Sequence, residues 1–187
     1  QSDAPSISND GCFVEFTSAA TNLGALANQV HIRGPLALAG CAGTEQTSLV
    51  SKDNIGNPAS AGSISRRPST NGNGRFIAFV SDATNFGSSG QQIYLHDTLP
   101  APNGQTILIS KDNTSPTAIA GDNPSDMPSI SNDGCFVAFT SAAVNLGAPA
   151  NQVHIRGPLA LAGCAGTEQT SLVSKDSTGV PSNGGAN

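Results

Sequence analysis

The chain has 187 residues, enough for one domain with a real core, but only 11% are charged and 4% aromatic, with a net charge of -5. No Lys/Arg cluster exceeds the pair Arg66-Arg67 and no apolar run nears bilayer length, which argues against a nucleic-acid partner and against membrane insertion. A charge this low is also unlike a disordered chain, and the wealth of Gly, Pro, Ser, Thr and Asn suits short strands joined by turns.

The first residue is Gln1, with no basic, apolar leader. That start is expected if a leader has been removed or if the chain is a piece of something longer. From Pro5 the sequence reads as four strands. Strand A is "PSIS" and ends in an Asn-Asp-Gly hairpin signal. Strand B is "CFVEFTS", strand C "QVHIR" and strand D "TSLVSKD", all rich in Val, Ile, Phe and Thr. No long stretch has helical periodicity.

The passage then recurs. Residues 5–53 and 128–176 align without gaps and differ only at Glu15/Ala138, Thr21/Val144 and Leu26/Pro149, so 49 − 3 = 46 positions match. A looser copy lies between them, with "RFIAFVS", "QIYLH" and "TILISKD" for strands B, C and D. The copies start at Pro5, Pro68 and Pro128, a period of roughly 61 residues. The expected fold is all-β: three four-stranded antiparallel blades of a β-propeller. The blades divide as 1–53, 54–112 with its preceding loop, and 113–187 with its preceding loop and a tail.

The pattern P-S-I-S-x-D-G-x-F-V-A-F-x-S-x-A-x-N-L, then Q-I-Y-L-H-D, then T-x-L-[VI]-S-K-D, resembles the TolB-like, WD-like propeller repeats of bacteria. The resemblance covers nearly the whole chain three times over. It implies a propeller that serves as a binding module, an assembly scaffold or an enzyme's accessory domain. Two departures stand out. Gly34 and Gly157 replace the Asp that ends strand C, kept in the middle copy as Asp97. The B–C loops "GALANQ", "GSSGQQ" and "GAPANQ" lack carboxylates, so no calcium site is carried over, and no cofactor is expected.

Propellers usually close with four to eight blades, so three leave a wedge with two open faces. The D-to-A connections have 14 and 15 residues (54–67 and 113–127), and the 11 after Asp176 plus the 4 before Pro5 again make 15. Three arrangements fit: a two-chain six-bladed ring, a head-to-tail filament, or a fragment of a longer propeller. Glu15 stands where blades tend to touch, against Ala78 and Ala138. Either the face of blade 1 is wetter there, or the position points away from the contact.

Cys12 and Cys135 open strand B, and Cys41 and Cys164 lie in the C–D loop, 29 residues later in each outer copy. The middle copy lacks both: Arg75 replaces the first, and "DTLPAPNGQ" is four residues shorter than "GPLALAGCAGTEQ". In a blade, strand B begins where strand C ends, so Cys12–Cys41 and Cys135–Cys164 disulfides are permitted, one of three possible connectivities. Each would staple a loop of about 30 residues, worth about 3 kcal/mol, and would point to a secreted, extracellular or periplasmic setting. Four buried free thiols are the alternative. No C-x-x-C supports a zinc or redox site.

His31 and His154 share one position of strand C, with His96 two residues later in register. Alternation sets them beside Arg33 and Arg156 as a polar strand face or as donors of hydrogen bonds between blades, with metal binding the rival reading. Asp10 and Asp133 belong to turns, "NGNG" at Asn71 leads into a strand rather than a helix, and Asn113-Thr114-Ser115 fits a glycosylation triplet. No G-x-S-x-G elbow is present. Near-identical outer copies would place any catalytic site twice, so a non-enzymatic module for self-assembly or scaffolding is expected. A fragment that binds a peptide or glycan, or that supports an attached enzyme, is the alternative.

Overall fold

The computed structural model describes residues 1–99, 104–114 and 117–183. Twelve strands form three four-stranded antiparallel sheets. Blade 1 holds β1 (Ser2–Ile7), β2 (Val14–Ser18), β3 (Gln29–Gly34) and β4 (Gln46–Leu49). Blade 2 holds β5 (Ser65–Thr70), β6 (Phe76–Ser81), β7 (Gln92–Asp97) and β8 (Gln105–Leu108). Blade 3 holds β9 (Ser125–Ile130), β10 (Val137–Ser141), β11 (Gln152–Gly157) and β12 (Gln169–Leu172). Neighbours in sequence are neighbours in each sheet, as in a propeller blade.

Strand A begins three residues before the prolines from which its pattern reads. Two residues of β1, Ala4 and Pro5, face Phe16 alone, between the pairs Asp3↔Thr17 and Ser6↔Glu15. The same bulge recurs in β5 and β9, with Arg67 and Met127, like Ala4, at positive φ. Proline cannot donate to the ladder, so the strand bulges there and resumes on the other side. Serines close the strand ends: Ser2 with Ser18, Ser65 with Ser81, and Ser125 with Ser141.

The A–B turns use their acidic residues as turns do. Asp10 accepts from the Ser8 hydroxyl and the Cys12 amide, and Asp133 from Ser131 and Cys135. The hydroxyl bond, then the amide bond, hold both carboxyls below the ordinary aspartate range. After strand D, Asp53, Asp112 and Asp176 each accept two backbone amides and bend the chain towards the next blade.

Cys12 is bonded to Cys41 and Cys135 to Cys164, with Cα–Cα distances of 5.4 and 5.5 Å. Blade 2 ties the same place differently: Arg75, at the position of Cys12, pairs with both oxygens of Asp97 at 2.8 Å. Gly34 fits because a Cβ there would lie 2.4 Å from the Phe13 ring. Ser115, the third residue of the glycosylation triplet, lies outside the described residues.

Blade 2 is the middle layer. Its Ile77, Phe79 and Tyr94 pack on Val30, Ile32 and Val50 of blade 1. Its opposite face, Phe76, Ala78, Val80, Ile93 and Leu95, packs on Val137 and Phe139 of blade 3. The first strands adjoin one another, β1 on β5 and β5 on β9, and form the inner edge of the stack.

Candidate functional site

Each blade therefore has a forward face, turned towards the next blade, and a rear face, turned towards the one before. The chain joins forward to rear twice, using the same hydrogen bonds. At the inner edge the Ser65 amide donates to the Asn28 carbonyl, and the Ser125 amide to the Gln91 carbonyl. In the short turn after strand B, Asn85 donates to the Pro58 carbonyl and Asn145 to the Ala120 carbonyl. On strand D the Thr106 hydroxyl donates to the Lys52 carbonyl, and the Thr170 hydroxyl to the Lys111 carbonyl, each at 2.6 Å.

Two faces remain without a partner blade in the chain. On the rear of blade 1, Val14 and Phe16 are only half-buried, whereas their counterparts Ile77, Phe79, Val137 and Phe139 are fully buried. On the forward side of blade 3, Phe136 is 37% exposed and Val153 and Ile155 are half-buried, while Phe76, Ile93 and Leu95 are covered. Val173 is exposed where Val50 and Ile109 are buried. These two apolar faces are the most distinctive surfaces of the molecule.

The two joined interfaces differ. Between blades 2 and 3, the C–D loop of blade 3 reaches back over blade 2 and sets Leu159 and Leu161 on the shared core. Arg156 donates to the Lys111 and Asp112 carbonyls and pairs with Glu168 at 2.7 Å, and Glu168 also holds Lys111 at 3.1 Å. Between blades 1 and 2, His96 stands at the position of Arg156. A cleft of about 490 Å³ opens there, lined among others by Phe13, Ile32, Val50, Lys52 and His96. The Thr106 hydroxyl spends its proton on the Lys52 carbonyl, so His96 Nδ1, 2.9 Å away, must be the donor. Burial first, then the nearby Lys52 charge, pushes His96 down to about 4, so the ring is neutral at neutral pH.

Glu15 lies inside the interface of blades 1 and 2, fully buried. Its position points into the contact, and the face is not wet. Thr70 is close, but neither carboxylate oxygen makes a hydrogen bond of normal geometry. Burial pushes this carboxyl up to about 7.

Of the two readings for His31, Arg33, His154 and Arg156, a wet polar face holds only at Arg33, whereas Arg156 is buried and makes hydrogen bonds between blades, to the Lys111 and Asp112 carbonyls. Strand alternation gives a wet face only where one side of a sheet meets solvent; blade 2 covers His154 and Arg156, and on the open rear of blade 1 His31 lies under the Phe16 ring. His154 stacks on Phe139 inside the contact with blade 2, and His31 stacks on Phe16, each at 5.8 Å between rings. Their ring nitrogens make no hydrogen bond of normal geometry, and burial lowers the pKa of both. Among the described residues no group of three or more His, Cys, Asp and Glu side chains is placed to hold a metal ion.

Sequence reading missed the part played by Glu168 and Leu159. Their signal was present in the sequence: "LALAG" and Glu168 occur only in copies with the longer C–D loop.

No family model and no curated sequence matches the chain. Solved structures do match. One, described as a putative TolB from Agrobacterium tumefaciens, is 15% identical with a TM-score of 0.36. The match covers 84% of this chain and 58% of that one, so the chain spans under two thirds of that protein's length.

Proposed function

We propose that the chain is a non-catalytic propeller module that joins copies of itself head to tail, in an oxidising extracellular or periplasmic setting. The observation that carries this reading is the identity of its two open faces. The rear face of blade 1 repeats Val14, Phe16 and His31 as Val137, Phe139 and His154, which blade 3 already seats against blade 2. The forward face of blade 3 repeats that of blade 1, which already seats blade 2, except that Ala138 replaces the buried Glu15. The open faces are thus two halves of a contact that the chain builds twice within itself.

A contact between different faces is heterologous, so it closes as a ring or grows as a filament according to the angle each joint turns. Two disulfides support the oxidising setting. The duplication supports a non-catalytic role, because a site on either outer blade would occur twice.

The test is native molar mass by light scattering over a range of concentrations without reductant. A discrete two-chain species is the result for a ring, and mass that grows with concentration is the result for a filament. A monomer at every concentration overturns the proposal.

A further inference from the structure

The C–D loop of blade 1, residues 34–46, has the form of a clasp without a blade beneath it. Its counterpart, residues 157–169, closes over blade 2. Both loops are built alike. Glu45 accepts from Arg33 Nε and from the Ala37 amide, as Glu168 accepts from Arg156 Nε and the Ala160 amide. Arg33 bonds Thr47 as Arg156 bonds Thr170. A disulfide staples each loop to the start of strand B. The surroundings differ. Leu159 is 1% exposed and Leu161 is half-buried against blade 2, whereas Leu36 is half-buried and Leu38 is 58% exposed. Loop 34–46 thus holds its bound shape before anything is bound, which lowers the ordering cost of association.

We infer that loop 34–46 of one copy clasps blade 3 of a second copy, with Glu45 meeting the second copy's Lys175 and Leu36 and Leu38 covering its Ile155 and Val173. The inference rests on the head-to-tail reading and adds the residues that make the joint. The template is internal. Lys175 follows strand D of blade 3 as Lys111 follows that of blade 2, and Lys111 lies 3.1 Å from Glu168. Ile155 and Val173 match Leu95 and Ile109, which share a core with Leu159. Lys175 and Val173 are exposed, so the second copy presents both the charge and the apolar seat. The Thr47 hydroxyl donates to the Lys175 carbonyl, as Thr170 does to Lys111. Asn22 meets the Pro181 carbonyl, as Asn85 meets Pro58.

The experiment is zero-length carbodiimide coupling of a mixture of 14N- and 15N-labelled chains, read by peptide mass spectrometry beside light scattering of the same samples. The intrachain Glu168–Lys111 amide is the internal control. The expected product is a mixed-isotope amide between Glu45 and Lys175. A Leu38→Asp chain, altered at an exposed side chain, is expected to keep the control amide and its unfolding temperature and to associate at least tenfold more weakly. Association with the control amide but without the Glu45–Lys175 amide overturns the clasp and leaves head-to-tail assembly standing. Unchanged association of Leu38→Asp overturns the clasp too. Absence of association at every concentration overturns both.

Discussion

The interface of blades 1 and 2 and that of blades 2 and 3 use one set of hydrogen bonds to backbone carbonyls with two different fillings. Both bind serine amides at the inner edge, asparagine at the B–C turn and threonine on strand D. In the second, Ala78 is fully buried in the contact, and Arg156, Glu168 and Leu159 close its outer end. The first carries a buried carboxyl at Glu15 and a cleft of about 490 Å³ beside His96 and Lys52. The two joints thus share recurring bonds to backbone carbonyls and differ in a few side chains and in the length of the C–D loop.

The sharpest break of this comparison is Leu159→Ala. It removes a fully buried side chain from the better interface and is expected to lower stability by about 3 kcal/mol. Leu36→Ala in the dissociated chain is expected to cost under about 1 kcal/mol, because no blade lies beneath it. Denaturant unfolding of both variants at low concentration checks the pair.

Glu15→Ala gives the weaker interface the residue found at positions 78 and 138. The folded carboxyl is raised to about 7 from an ordinary 4.5, so the folded chain holds a proton that the unfolded chain releases between those values. Stability of the parent chain therefore falls as pH rises from 4.5 to 7, by about 3 kcal/mol, and levels off above. The variant is expected to lack that fall, to exceed its parent by about 2 kcal/mol at pH 8, and to be about 1 kcal/mol less stable than its parent at pH 4, where only the truncation cost remains. Unfolding curves across this range decide it, and a parallel fall in both chains would clear Glu15.

Arg156→Ala removes one of the partners of Glu168, which keeps Lys111 and the Ala160 amide, together with the guanidinium bonds to the Lys111 and Asp112 carbonyls in a buried setting, and is expected to cost about 2 kcal/mol. Arg33→Ala, the same change on an exposed pair, is expected to stay within about 0.5 kcal/mol in the dissociated chain. The smallest effect is Ser48→Ile, which places in the cleft the residue that blade 2 has at Ile107, for a gain of under about 1 kcal/mol. A loss on thermal unfolding would show that the cleft has no room for the side chain.

Period and register were legible from residues alone. Alternating Val, Ile and Phe between Asn-Asp-Gly turns set the strands, and the paired loss of two cysteines in the middle copy pointed to their bonding. The start of strand A was not legible, because a bulge at each proline interrupts the alternation that marks a strand. Of the polar residues of strand C, Arg33 alone forms a wet face and Arg156 bonds between blades, for a related reason. Alternation separates two faces but does not say what covers each, and His31, His154 and Arg156 lie under an aromatic ring or a neighbouring blade.

The sequence by itself determined that this protein is three copies of one four-stranded unit, with paired cysteines in its outer copies, because strand periodicity and turn chemistry act over a few residues. Only the tertiary structure decided that Glu15 is buried, that loop 157–169 closes over blade 2, and that loop 34–46 and the forward face of blade 3 stand open. Those facts depend on which blade lies beside which, and near-identical copies acquire different surroundings only through their place in the stack.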